Sequence, residues 1–142
     1  MQTAKKVDGG FTLLECLLAV LLVGIAVAAL VAANGSFTRV NAAGAELSTA
    51  EFLIEQIRER TDLVAYDDVD GFHNAVFNPP ITADGQILSD FSAYTQTVTV
   101  QNVSESNFEQ PGGTDSNFIK VTVTVSLSGQ NITSASWIRA NY

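Results

Sequence analysis

The stretch Gly9-Gly10-Phe11-Thr12-Leu13-Leu14-Glu15, continued by Cys16 to Ala33 without another charge, decides how the rest of the chain is read. A short leader carrying Lys5 and Lys6 ends in a glycine pair, and a long apolar run with one carboxylate near its start follows. An ionised carboxylate in a bilayer helix costs about 2.5–3.5 kcal/mol at the centre and less near the interface, so Glu15 calls for a partner. The nearest candidate is an amine. A cut after Gly10 would free the α-amino group of Phe11, one helical turn from Glu15 and about 6 Å away along the axis at ~1.5 Å per residue.

Working outward, Phe11 to Ala33 is about 34 Å long as a helix, enough for a hydrocarbon core of ~30 Å, and no second such run exists in the sequence. Lys5 and Lys6, opposed only by Asp8, bias the N-terminus to the cytoplasm and send the remainder across. Ala19, Gly24, Ala26, Ala28 and Ala29 allow close helix approach. Two plainer readings compete. One is a secretory signal ending at Val31-Ala32-Ala33, although its apolar region exceeds the usual length and contains Glu15; the other is a simple signal anchor.

The helical pattern continues past the apolar run. Val40, Ala43, Leu47, Ala50, Ile54, Ile57, Thr61 and Val64 recur at spacings of three and four, with Glu46, Glu51, Glu55, Arg58, Glu59, Arg60 and Asp62 on the other faces. Arg58 and Asp62 form a candidate i,i+4 pair. One helix over about 11–65 is expected, on the order of 80 Å long, with Asn34-Gly35 and Gly44 as places where it bends or melts.

Turn chemistry then takes over in Asp67-Asp68-Val69-Asp70-Gly71, Asn78-Pro79-Pro80 and Ala83-Asp84-Gly85. Strands are expected over Tyr94 to Val103, Ile119 to Leu127 and Ile132 to Arg139, with a shorter one at Gln86 to Leu88. Asn107 to Asn117 reads as the loop between the first two long strands, and Ser128-Gly129-Gln130-Asn131 as a hairpin turn. The clean alternation of Ile119, Val121, Val123 and Val125 with Lys120, Thr122 and Thr124 means one buried and one wet face. The helix stripe is the only large apolar surface available to cover it, so the fold class is α+β, a long N-terminal helix packed on a small antiparallel head.

With 142 residues, net charge −8 and pI near 4.3, the chain has room for one head domain and no basic face for nucleic acid. Cys16, the only cysteine, lies inside the apolar run, so no intrachain disulfide forms. A single histidine, His73, in an Asp-rich loop gives no hydrolase triad, and neither a phosphate loop nor Cys/His metal spacing is present; no catalytic residues are assigned and no enzyme is expected. Asp67, Asp68 and Asp70, completed by Asp84 or Asp90, are candidates for calcium, although adjacent acids before a glycine are also ordinary turn formers. No other cofactor is expected. Asn34, Asn102 and Asn131 begin Asn-X-Ser/Thr sequons, read as accidental beside a bacterial signal.

Gly10-Phe11-Thr12-Leu13-Leu14-Glu15 resembles the class III signal of type IV prepilins and type II secretion pseudopilins. The resemblance implies a membrane peptidase that cuts after Gly10 and methylates the amine of Phe11, and it makes Glu15 the fifth residue of the mature chain and the assembly residue. Tyr66 to His73, Asp84-Gly85, the Tyr94 to Val103 strand, Val121 to Val125 and the terminal Trp137-Ile138-Arg139-Ala140-Asn141-Tyr142 resemble minor pilins of the mannose-sensitive haemagglutinin (MSHA) type, D-like group. Gly71, where that group often carries another Asp, and Cys16 depart from its pattern. What the resemblance implies is a type IV pilin-like fold with a leader over 1–10, a membrane and filament-core segment over 11–33, an amphipathic helix over 34–65 and a β head over 66–142. Its function would be that of a minor pilus subunit that primes, caps or modifies the filament.

The partners implied are the prepilin peptidase and methyltransferase, other pilin or pseudopilin subunits met through the N-terminal helix, and a pilus assembly platform. The implied location is the bacterial inner membrane, single-pass with a periplasmic head, and then the surface filament. A minor pseudopilin of type II secretion, in a periplasmic pseudopilus, is the alternative; a signal-anchored periplasmic binding domain is the third reading.

Overall fold

The computed structural model describes residues 10–114 and 116–141. Its first element, α1, is a helix over Leu13–Leu63. The described chain divides into two compact units between Ala42 and Ala43. The boundaries fall two residues inside the expected 11–65 at each end. Helical hydrogen bonding runs on through Asn34-Gly35 and Gly44, so the helix does not melt there. Around the first of these, the Ser36 and Thr38 hydroxyls donate back to the Ala32 and Asn34 carbonyls at 3.2 and 3.0 Å, so their side chains are used within the helix.

In the second unit the buried helix residues are Ala50, Leu53, Ile54, Ile57 and Thr61. The apolar stripe of the sequence begins at Val40, yet Val40 is 67% exposed and Leu47 is exposed too, so burial starts later than the pattern. Periodicity records which side of a helix is apolar, and only a covering surface turns that side into core. Leu53, absent from the expected stripe, is fully buried. Arg58 pairs with Glu55 at 3.8 Å rather than with the expected Asp62.

A 3-10 helix follows over Tyr66–Phe72, then β1 (Val76–Phe77), a short 3-10 turn (Ser89–Phe91), β2 (Tyr94–Ser104), β3 (Asn107–Pro111), β4 (Phe118–Leu127) and β5 (Gln130–Ala140). The sheet is antiparallel with order β1-β2-β4-β5, and β3 pairs with the end of β2. This is the expected α+β arrangement, a long N-terminal helix followed by a small sheet of five strands, consistent with a type IV pilin-like fold. Register places Val98 opposite Val123 and Val100 opposite Val121, and those four valines form the buried face with Ile119 and Val125. They close a core with Ala50, Leu53, Ile54, Ile57, Val69 and Ile81.

Three expectations need correction. Residues 107–111, read as part of a loop, form β3, because Phe108 stacks on Phe118 at 5.2 Å and Glu109 bridges Lys120 at 2.8 Å. Its sequence, Asn-Phe-Glu-Gln-Pro, lacks β-branched residues, so the pairing has no local signal. Gln86 to Leu88 is not a strand; Ile87 makes only an isolated bridge to Ile81. The β4–β5 turn is the two-residue Ser128-Gly129, both at positive φ (49° and 83°), so β5 begins at Gln130 rather than Ile132.

Two long polar side chains fasten the helix to the sheet. Gln96, fully buried on β2, accepts from the Ile81 amide at 2.8 Å and donates to the Leu53 and Ile81 carbonyls at 2.8 and 3.2 Å. Arg139 on β5 donates to the Thr61 carbonyl and, at 3.2–3.3 Å, to that of Val64. These acceptors lie where the end of α1 leaves carbonyls without intrahelical partners.

Candidate functional site

Helix α1 is started by its own sequence. Thr12 precedes its first residue, and the Glu15 amide donates to the Thr12 carbonyl at 3.0 Å and to Thr12 Oγ1 at 3.2 Å. Thr12-Leu13-Leu14-Glu15 is therefore an N-terminal cap of the Thr-x-x-Glu type, with the Glu15 carboxylate in the first turn, the positive end of the helix dipole. The sequence reading missed Thr12. Its signal was available in the same six residues, in the spacing of three between a hydroxyl and a glutamate.

Phe11, two residues before the helix, is 82% exposed, and every residue from Phe11 to Ala45 is exposed. That includes Leu13, Leu14, Leu17, Leu18, Leu21, Leu22, Ile25, Leu30 and Phe37. The helix is long and apolar enough to cross a membrane, and nothing in its own unit covers the apolar surface. Cys16 lies on it as an exposed free thiol. The leader expected over residues 1–10 lies outside the described residues except for Gly10.

Residues 5–31 match the family model described as the prokaryotic N-terminal methylation motif. The chain carries a type IV pilin-like class III signal. The matched residues include Gly10, Phe11, Thr12 and Glu15 and end within the apolar half of α1. No curated protein and no solved structure matches the chain. The motif supports a pilin- or pseudopilin-type protein, one processed by a prepilin peptidase and assembled with other such subunits.

Asp67, Asp68 and Asp70 lie on the 3-10 helix whose Val69 plugs the core. Asp67 and Asp70 line a cavity of about 200 Å³ with Tyr66, Asn102, Thr114 and Ile119, and Asp68 does not. The Asp84 carboxylate is used within its own turn, where it accepts from the Thr82 hydroxyl and, at 2.9 Å, from Gln86 Nε2. The Thr82 bond first, then its own backbone amide, hold Asp84 below the usual carboxylate range, with Arg60 adding a smaller attraction. Gly85 follows at φ 86°, and a Cβ there would come within 2.7 Å of Arg60 Nη1. Among the described residues, no three His, Cys, Asp or Glu side chains are grouped so as to hold a metal ion.

His73 accepts the Val100 amide on Nδ1 at 3.2 Å, which ties the loop to β2. Tyr66 donates its hydroxyl to the Ser116 carbonyl at 3.1 Å; burial and then the Asp67 charge raise its pKa, against the opposing charge of Arg139. These contacts anchor the head.

Proposed function

We propose that the chain is the precursor of a low-abundance type IV pilus subunit, with a head of the mannose-sensitive haemagglutinin minor-pilin kind. It is cut after Gly10, N-methylated on Phe11 and built into the filament through α1. One observation carries this reading: the methylation motif over residues 5–31 runs into a helix whose apolar surface is exposed from Phe11 onward. Such a surface needs lipid before assembly and other subunits' helices afterwards. Residues 1–10 are then the leader, 11–33 the membrane and filament-core segment, and the periplasmic head follows once the chain is anchored in the inner membrane.

The Phe11 amine and the Glu15 carboxylate neutralise one another, within a chain or between neighbours, when the helix leaves the bilayer for a packed bundle. Left alone in that low dielectric, either charge would oppose assembly. The minor role is supported by charge. Residues 43–142 hold thirteen Asp and Glu against four Lys and Arg, so identical heads packed side by side would repel. A subunit spaced among different neighbours avoids that repulsion.

The test is co-expression with a prepilin peptidase, followed by intact mass of the membrane-extracted product. A chain starting at Phe11 with one added methyl is expected. A chain starting at Asn34, or an uncut one, would end the proposal. Recovery in sheared surface pili then separates a pilus subunit from a secretion pseudopilin, whose loss would abolish secretion without removing surface filaments.

A further inference from the structure

The two edges of the sheet are treated differently. Beyond β2, β1 has two residues and runs into Asn78-Pro79-Pro80, and β3 has five and ends at Pro111, which are the usual ways of blunting an edge. At the other side β5 is eleven residues long, contains no proline or lysine, and pairs only with β4 among the described residues. Its one charge, Arg139, is turned to the helix carbonyls. The irregularity in its pairing falls at Ile132, between the Val125–Thr133 and Ser126–Asn131 partners, so Thr133 to Ala140 runs in continuous register.

The free backbone groups can be assigned. The Asn141 amide donates to the Asn117 carbonyl at 2.8 Å, and hydrogen-bonded pairs recur every second residue in an antiparallel ladder. Arg139, Trp137, Ala135 and Thr133 therefore bond to β4. Ser134, Ser136, Ile138 and Ala140 turn their amides and carbonyls outward, and none of these has a backbone partner among the described residues.

The flank of this edge is acidic. Arg58 lies over the Trp137 ring at 5.9 Å, which marks the face of α1 next to β5. At about 100° per residue, Glu51, Glu55 and Asp62 lie within about 60° of Arg58 around the helix, and all three are exposed. Arg58, already paired with Glu55 at 3.8 Å, is the only cation beside them. The other three cations of the head are engaged elsewhere: Arg60 on the Ala83 carbonyl, Lys120 on Glu109, and Arg139 on Thr61 and Val64. A second copy of this head would bring another acidic flank and no free cation to answer it.

We propose that the outer edge of β5 takes up, as an added strand, an extended segment of a different protein chain that carries lysine or arginine at alternate positions. The outward groups of Ser134, Ser136, Ile138 and Ala140 supply the backbone pairing. Glu51, Glu55 and Asp62 select the cations on the side of the segment that faces the helix. This inference concerns the head alone and goes beyond the processing of the N-terminus.

The test uses the full chain in neutral detergent micelles and two synthetic ten-residue peptides, one alternating lysine with threonine and valine, the other with glutamate in place of lysine. Amide hydrogen exchange is followed residue by residue. With the lysine peptide at about ten times its Kd, about a tenth of the protein remains free, so exchange at Ser134, Ser136, Ile138 and Ala140 slows about tenfold. Thr133, Ala135, Trp137 and Arg139, already bonded to β4, change little. The glutamate peptide gives no protection.

Ser136→Pro removes one outward amide without touching the β4 ladder and should abolish the protection while circular dichroism stays unchanged. Glu51→Lys/Glu55→Lys, on the exposed helix face, keeps the fold if the proline does not, and should weaken the lysine peptide several-fold. No alternating protection, or equal binding of the two peptides, overturns the proposal, and neither outcome touches the mass test of the N-terminus.

Discussion

Replacing Arg139 with Met should unfasten the end of the long helix. The aliphatic stem of the side chain is kept, and the guanidinium that serves the Thr61 and Val64 carbonyls is lost. Thr61 is fully buried, so water does not readily replace the lost donor. A buried acceptor left without a partner costs about 1–3 kcal/mol, and removal of a cation from a helix C-terminus about 0.3–1 kcal/mol more. The expected loss is about 1.3–4 kcal/mol. For a head of this size each kcal/mol lowers Tm by about 4–8 °C, so Tm should fall by about 5–30 °C.

Fluorescence of Trp137, the only tryptophan and two residues away on the same face of β5, reports the transition during heating of the full chain in detergent. Arg139→Lys, with its single ammonium, should fall between the two. A second readout is independent of melting. Arg139 opposes the burial and the Asp67 charge that raise the Tyr66 pKa, so Tyr66 should titrate higher still in Arg139→Met, followed by its ultraviolet absorbance. A Tm within about 3 °C of the unaltered protein would refute the capping argument, since even the lower bound of the estimate exceeds it.

Gln96→Leu should cost about 2–4 kcal/mol, read from the urea midpoint, because it strands the Ile81 amide and carbonyl inside the core; an unchanged midpoint would mean that the buried amide is dispensable. Asp84 has a lowered folded pKa, so its contribution is complete above the ordinary carboxylate value of about 3.9 and disappears as pH falls through the lowered value. Asp84→Asn should therefore lose less stability than the unaltered protein as the pH falls below the ordinary carboxylate value, and parallel acid profiles would contradict the turn's role. Glu15→Val should still insert and still be cleaved, yet enter filaments poorly; normal incorporation measured in sheared pili would remove the pairing argument.

Much of this protein is legible along the chain because the relevant signals are local. Phe11 to Ala33 announces an apolar helix through composition, Gly10 to Glu15 a processing signal through fixed spacing, and Ile119 to Leu127 a half-buried strand through alternation. Gly129 marks its turn with the residue type that positive φ favours. Thr12 as the helix cap was equally local and was overlooked.

What the sequence by itself determined is therefore the order and kind of the long elements and the chemistry of the first turn of α1. Only the tertiary structure decided that burial on the helix begins at Ala50 rather than Val40, and that residues 107–111 join the sheet. It also decided that Gln96 and Arg139 reach back 43 and 75–78 residues to the helix. It decided, too, that β5 keeps an edge unpaired among the described residues beside an acidic helix flank. Helical and strand periodicities arise from the backbone's own geometry and are written every two or three to four residues. A covering surface, an edge or a hydrogen-bond partner is contributed by residues far along the chain, and no local pattern records which of them will arrive.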